Sequence, residues 1–410
     1  MLFIYVKSRH VTVSAFGLLI NYIDFSLLIM YNENKDTVKE IRPMKPNEFA
    51  TTPTVYAVGN SYQIIVPVTC ETVMWVRVGD KCFYDDSNGI LRSGRSTHKM
   101  IVPMELLDKE KSYTVCYRVV NERKAYFSDL GDVMEYTSDF RPVRQDGAIR
   151  IYNIADAHNH VDGPVGAGTF FGDELDLLVL NGDIPNHSGK IEYLTTIHEI
   201  ASQVTGGKIP VIFSRGNHDT RGVFAENIED HTPTDNGRSY FTFRLGRLWG
   251  IVLDCGEDKV DDHPEYGHTI CCEAFRQRET EFVRNVVANA DKEYAAEGVE
   301  NRVVFCHNPF TQTIYPPFDI EIDTFTQWAR LLREHIKPQI MVCGHIHRCY
   351  ISEVGSERDH KGQPCPVIVA SETPKNGPFY GGAIELYPDH CNVKFTDSLH
   401  NVREEYTLDF

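Results

Sequence analysis

From Ile149 onward the chain alternates apolar runs with stretches of helical period. The runs are "IRIYNIAD", "LDLLVLNGD", "PVIFSRGN", "LWGIVLDCG", "RVVFCHNP", "QIMVCGHIH" and "PVIVAS". Short continuous apolar runs bounded by turn residues predict buried strands, and strands that alternate with helices predict a layered α/β core. Between the second and third runs, Ile191, Leu194, Ile197, Ala201 and Val204 recur at helical spacing, and Gly206-Gly207 can end that helix. Helices are also predicted at about 271–298 and about 323–336.

Upstream the period changes to two. "SYQIIVPV" (61–68), "VMWVRVGD" (73–80), "HKMIVPM" (98–104) and "SYTVCYRVV" (112–120) predict an all-β sandwich over residues 55–140. Leu107, six residues before Tyr113, with Val115 and Tyr117 alternating after it, resembles the tyrosine-corner strand of fibronectin type III domains. A polar linker (32–54) precedes this region, and "MEYTSDFRPVRQDG" (134–147) reads as the linker into a second domain spanning 149–410. Residues 1–31 form a hydrophobic extension. The stretch "VTVSAFGLLINYIDFSLLIMY" (11–31) is long enough to cross a bilayer, but Asn21 and Asp24 in its middle argue against a membrane anchor, and no convincing small-residue cleavage site follows it. The abrupt change of composition after Met30 makes that residue a candidate natural start.

Composition narrows the function classes. The chain has 410 residues, 42% hydrophobic and 11% aromatic, as expected of a globular protein of two or three domains. Its 41 basic and 58 acidic residues give a formal charge of -17, which disfavours nucleic acid and anionic membranes as partners. A phosphate-binding site on such a chain must be locally positive. Eleven cysteines at irregular spacing suit a reduced, cytoplasmic compartment, with Cys271, Cys272 and Cys306 read as small core residues.

The metal-capable residues fall at the carboxyl ends of five predicted strands, where α/β folds place their sites. In order they are Asp156-Ala157-His158, Gly182-Asp183, Gly216-Asn217-His218-Asp219, His307 and Gly344-His345-Ile346-His347. A single strand-end histidine is more often structural than a ligand, and Gly-Asp is common in turns. Five such blocks in succession point to one shared site.

These blocks resemble the ordered signature of the calcineurin-like metallophosphoesterase superfamily, DxH, GD, GNH(D/E), H and GHxH, over about residues 149–398. The layout is also similar to the purple acid phosphatase branch, but His158 and Asn186 stand where that branch has a glycine and a metal-binding tyrosine, which implies a non-purple relative. The resemblance implies a layered α/β/β/α core and a di-metal site. Asp156, His158 and His347 would hold one ion beside Asp183, and Asn217, His307 and His345 the other. Residue chemistry independently favours Asp183 as the bridge, since a carboxylate can span two cations and a neutral imidazole cannot. With Asp156, Asp183 and a bridging hydroxide, two dications leave the site positive by about one charge. The nitrogen and oxygen donors suit Mn, Fe or Zn.

The expected reaction is attack of the metal-bridging hydroxide on phosphorus, with His218 as general acid and Asp219 as the partner that orients it. In protein serine/threonine phosphatases of the superfamily an arginine before GNH contacts phosphate. Arg215 takes that place here, with a structural ion pair as the competing role. His160, Asn186 and His187 are candidate pocket residues, and His198 reads as structural. "GEDKVDDHPEYGH" (256–268) reads as a lid or a solvated acidic loop, with His263 and Tyr266 as its contact candidates. A small phosphorylated substrate is expected. Phosphomonoesters, phosphodiesters, nucleotides and phosphoproteins all fit, while the acidic chain counts against a nuclease. A phosphoesterase-fold interaction module that has lost catalysis is the alternative, but such modules lose ligands and this set is intact. In a third reading the β-sandwich recognises a partner, although residues 55–140 contain no binding motif. The start at Met30 is tested by mass spectrometry of the native N-terminus: a peptide from within residues 11–29 would refute it.

Overall fold

All seven apolar runs form strands: Ile149–Ile154, Leu177–Asn181, Pro210–Ser214, Leu248–Leu253, Asn301–Cys306, Ile340–Cys343 and Val367–Glu372. They are continuously apolar because both faces of the sheet are covered. Ile151, Val179 and Ile212 enter one core, while Leu178, Leu180, Val211 and Phe213 enter another with Leu194, Ile197 and Ala201 of the helix Ile191–Thr205. The structure, a computed structural model, describes residues 45–313, 315–373 and 377–410. The extension over 1–31, the start at Met30 and most of the 32–54 linker lie outside the described residues. Glu48–Phe410 forms one compact unit, grouped apart from Met1–Asn47.

The pairings Ile151↔Leu177 and Leu178↔Val211 are parallel, as are Gly250↔Val303, Val303↔Ile340 and Met341↔Val367. Tyr380–Leu386 joins these two parallel halves by pairing antiparallel to Ile149–Ile154 on one side and to Val367–Glu372 on the other. All seven strands therefore run the same way, and their carboxyl ends share one edge.

The helix Ile191–Thr205 ends on Gly206 at φ 61°, as its sequence predicts. The helix predicted at 271–298 is shorter, Cys272–Ala288, and gives way to a 3₁₀ turn at Ala290–Lys292. Ile322–Leu331 runs on into a π-helical turn, Leu332–Ile336. The terminal strand Val402–Asp409 is not among the elements the sequence predicts: Glu404 interrupts the alternation of Val402, Tyr406 and Leu408, and of these only Leu408 is buried; its pairing to His390–Asp397 makes it a strand.

The N-terminal region departs from expectation. Thr54–Val58, Ser61–Pro67 and Thr97–Pro103 continue the long sheet, with Val55↔Pro210 and Tyr56↔Val211 paired in parallel. Thr72–Val78, Lys81–Tyr84, Ser112–Glu122, Asp129–Leu130 and Met134–Asp139 form a separate five-stranded sheet. The strand pairing thus does not draw a self-contained fibronectin type III-like sandwich over 55–140. Apolar residues of both sheets, among them Ile64, Met100, Val76 and Val115, share one core. The predicted linker over 134–147 begins as a strand paired with Ser112–Tyr117. The Tyr113 hydroxyl donates to the Gly207 carbonyl at 3.0 Å, across to the end of the Ile191–Thr205 helix, where a tyrosine corner would turn back to its own sheet.

His198, read as structural, ties the first strand to that helix. Its Nδ1 accepts from the Tyr56 hydroxyl at 3.0 Å, and its Nε2 donates to the His231 carbonyl at 2.7 Å. Burial lowers its pKa from 6.5 to about 4, so the unfolded chain takes up a proton that the folded protein refuses between those values. Its contribution to stability is present above about pH 6.5 and is lost as pH falls toward 4. Denaturant unfolding at pH 7.5 and pH 5 is expected to show that His198→Gln loses about 2 kcal/mol less than the wild type between the two conditions. An equal loss would remove His198 from the acid response.

Candidate metal centre

Every predicted ligand sits just beyond the carboxyl end of a strand on the shared edge. Asp156 and His158 follow Ile149–Ile154, Asp183 follows Leu177–Asn181, and Asn217 follows Pro210–Ser214. His307 follows Asn301–Cys306, and His345 and His347 follow Ile340–Cys343. Asp156, His158, Asp183, His345 and His347 all have positive φ, between 45° and 70°. Such backbone is disfavoured for residues with a Cβ and persists where its surroundings over-determine it. Here the Asp156 N–H donates to Gly182 O, the His158 N–H to Asp183 O, and the His345 N–H to the Asp156 carboxylate at 2.8 Å.

The side chains converge in overlapping groups. Asp156, His158 and His347 form one, with His347 Nε2 3.1 Å from both Asp156 Oδ1 and His158 Nε2. Asp183, His307 and His345 form a second, with His307 Nε2 3.2 Å from Asp183 Oδ2. Asn217 joins it through Oδ1, 3.0 Å from His345 Nδ1. Asp183 also meets His158 and His218 in a third group. It therefore stands between the two halves, where the sequence places the bridge.

These residues fit two cations. Asp156 Oδ1 and His307 Nε2 are buried, make no hydrogen bond and lie 3.8 Å apart. His307 Nδ1 donates to the Asn181 carbonyl at 2.7 Å, which turns Nε2 toward Asp183. Burial alone would depress the His307 pKa, yet the Asp183 and Asp156 carboxylates raise it to about 10. Burial opposes ionisation of Asp183, but His307 holds its carboxyl far below the usual range. Two buried anions thus call for positive charge between them. The donors are nitrogen and oxygen, with no thiolate in the groups.

Gly216 is required for space. Its backbone is not left-handed, but a Cβ there would lie 2.3 Å from Asp183 Oδ1. The tight approach of the "GNHD" turn to Asp183 also lets the His218 N–H donate to Asp183 Oδ1 at 2.8 Å.

Some expectations change around this centre. The His218 imidazole lies beside the ligands, with Nε2 3.9 Å from Asp183 Oδ2. Its Nδ1 donates to the Asn186 carbonyl at 2.8 Å, so the orienting role expected of Asp219 falls to a backbone oxygen. Asp219 is buried and accepts from the Gly216 and Asp183 N–H groups instead; burial, then the Asp183 charge, raises its pKa to about 8. Arg215 makes the structural ion pair, with Nε 2.6 Å from Asp254 Oδ2 and its guanidinium over the Phe275 ring. The Asn186 side chain and His160 are exposed, and His160 belongs to none of the ligand groups. His187 Nδ1 accepts from the Gly189 N–H in a local turn, and His263 likewise caps Glu265. Cys272 and Cys306 are buried as expected, whereas Cys271 is exposed.

Three neighbours were missed. Arg221 Nη1 lies 3.2 Å from His218 Nε2, Glu257 pairs with Arg221, and Asp258 Oδ2 lies 3.8 Å from His345 Nε2. Arg221 is only three residues beyond His218, and residues 256–268 read in the sequence as a lid or a solvated acidic loop, so the signal lies in two places that only folding joins. The Tyr266 hydroxyl of that loop lies 3.1 Å from Glu257 Oε2 and 3.0 Å from Asp258 Oδ1, and its one proton is shared between them.

A family model described as calcineurin-like phosphoesterase matches residues 126–349. No curated protein matches the sequence. Among solved structures, purple acid phosphatase PPD1 from yellow lupin (Lupinus luteus) seeds aligns with a TM-score of 0.54 at 11% identity, over 87% of this chain and 74% of its own. PhoD aligns with a TM-score of 0.52 at 10% identity, over 89% and 90%. At these identities the likeness is one of fold. Because a Cβ at position 216 would displace Asp183, Gly216→Ala is expected to reduce bound metal per chain in elemental analysis of the purified protein; undiminished metal would contradict the shared role of Asp183.

Proposed function

Because the chain belongs to the calcineurin-like phosphoesterase family, and is on that ground a metal-dependent phosphoesterase, we propose a division of labour among its residues. The observation that supports it is the place of Asp183 between two groups of His and Asp ligands. Asp156, His158 and His347 would hold one ion and Asn217, His307 and His345 the other, with Asp183 shared. Mn, Fe or Zn suits these donors. Two such ions supply a hydroxide nucleophile at neutral pH and a clamp on the phosphoryl oxygens.

The remaining work belongs to the side chains. Asp156 and Asp183 would offset the charge of the two ions, and backbone donors fix both carboxylates. His218 is the proton donor to the leaving oxygen. Its Nδ1 proton is engaged by Asn186, so Nε2, on the side of Asp183, is the atom that exchanges a proton with substrate. The preferred substrate is a small phosphorylated compound. A net charge of -17 weighs against nucleic acid. Eleven free cysteines fit a reducing cytoplasm, and no helix among the described residues is long and apolar enough to cross a membrane.

Hydrolysis of p-nitrophenyl phosphate and bis-p-nitrophenyl phosphate by metal-stripped and Mn²⁺-reloaded protein tests this reading. Turnover is expected only after reloading and is expected to vanish in Asp183→Asn. His218→Ala is expected to lower kcat by about a hundredfold or more with metal retained. Near-normal turnover in a metal-loaded His218→Ala would remove the general-acid assignment. Failure of the wild type to bind metal would revive the interaction-module reading.

A further inference from the structure

Arg221 is held in an unusually complete grip. Its Nε donates to Glu257 Oε1 at 2.7 Å and its Nη2 to Oε2 at 2.9 Å, a two-point pairing that fixes the plane of the guanidinium. Glu257 is itself buried and saturated: Thr220 Oγ1 donates to Oε1 at 3.0 Å and the Tyr266 hydroxyl to Oε2 at 3.1 Å. The Glu257 backbone is anchored in turn by the buried Arg276, which donates to the carbonyls of Glu257 and Cys255 at 2.6 and 2.8 Å. Glu257 therefore acts as a fixed mount. The guanidinium nitrogen not engaged by Glu257, Nη1, donates to His218 Nε2 at 3.2 Å beside the ligand groups, a contact that a substrate oxygen would take over when Nε2 carries its proton.

We propose that Arg221 is a catalytic residue that binds an oxygen of the scissile phosphate ester through Nη1, next to His218 Nε2, and that Glu257 is the positioning residue that aims it. This rests on the hydrolase reading above. Arg221 is also a wall of a cleft of about 710 Å³ that includes Thr220, Val223, Phe275 and Arg278, and through Nη1 it links that cleft to His218, which does not itself line it. That volume is in the range of sites for small organic ligands. The leaving group of the ester lies in this cleft, on the His218 side, with its phosphate over the two-metal centre. The substrate class is accordingly a phosphate ester with a sizeable organic alcohol. Both arginines are ion-paired, Arg215 with Asp254 and Arg221 with Glu257, but of the two it is Arg221 whose guanidinium reaches His218, so Arg221 takes over the phosphate contact that the sequence suggested for Arg215.

The test is calorimetric binding of inorganic phosphate to metal-loaded protein, beside kcat and KM on the two nitrophenyl esters, for wild type, Arg221→Ala, Arg221→Lys and Glu257→Gln. Arg221→Ala is expected to keep its metal while weakening phosphate binding by about tenfold or more, and to lower the melting temperature because buried Glu257 loses its cation. Arg221→Lys, which keeps the charge and loses the two-point grip, is expected to fall between it and the wild type. Glu257→Gln is expected to raise KM with metal content unchanged. Wild-type phosphate affinity in metal-loaded Arg221→Ala overturns the proposal, as does a wild type that holds metal and binds no phosphate. Should Arg221→Ala not fold, Arg221→Lys carries the same comparison, and wild-type affinity there overturns the two-point aim. Phosphate binding that depends on Arg221 in a protein that hydrolyses neither ester would support this contact while refuting the hydrolase reading.

Discussion

Two carboxylates, Asp156 and Asp183, are buried within a few ångströms of a common point, and much of the surrounding structure answers the cost of placing them there. A buried anion is tolerated only where donors or cations replace the water it has lost. Asp156 receives the His345 N–H, Asp183 receives the His218 N–H, and His307 and His347 lean on the two carboxylates from opposite sides. Asp156 Oδ1 and His307 Nε2 take part in these close charge contacts without a hydrogen bond, and bound metal ions would satisfy both. Affinity for phosphate on an otherwise acidic chain follows from the same charge balance, since the cations the carboxylates attract are the source of local positive potential.

The sheet makes this convergence feasible. Parallel strands bring their carboxyl ends to one edge, and ligands placed one to four residues beyond those ends need little more than a turn to meet. The turns are sharp, with five ligands in left-handed backbone, a conformation that costs on the order of 1–3 kcal/mol for each such residue. The packing that offsets this strain is extensive. Strands covered on both faces hold the edge rigid, and backbone bonds such as His158 N–H to Asp183 O tie the ligand loops to one another.

Beyond the ligands, ordering passes outward through charged pairs. Arg276 fixes the backbone at Glu257, Glu257 fixes Arg221, and Arg221 reaches His218. On the far side of the sheet, the N-terminal strands are built into the same framework. Val55 pairs with Pro210 and Tyr56 with Val211, while Tyr56 also bonds His198, so the start of the strand that leads into the "GNHD" turn is braced from the N-terminal region. The N-terminal β region thereby acts as part of the scaffold that positions the centre.

The sequence by itself determined the seven core strands, the helix that Gly206 ends, and which His, Asp and Asn residues gather beyond the strand ends. Continuous apolar runs and residues at their carboxyl ends are local signals, and an ordered set of such signals survives without knowledge of any contact. The roles of Asp219 and Arg215 were not legible in this way. Whether Asp219 faces an imidazole or two backbone N–H groups depends on a rotation within one tight turn, and Arg215 is neutralised by Asp254, a residue on another strand end. The join of Thr54–Val58 to Pro210–Ser214, the placing of Arg221 against Glu257 and the exposed terminal strand were likewise decided only by tertiary structure. In each case the partners are far apart in the chain, and the free energy that unites them comes from strand pairing and buried charge, neither of which leaves a periodic trace in sequence.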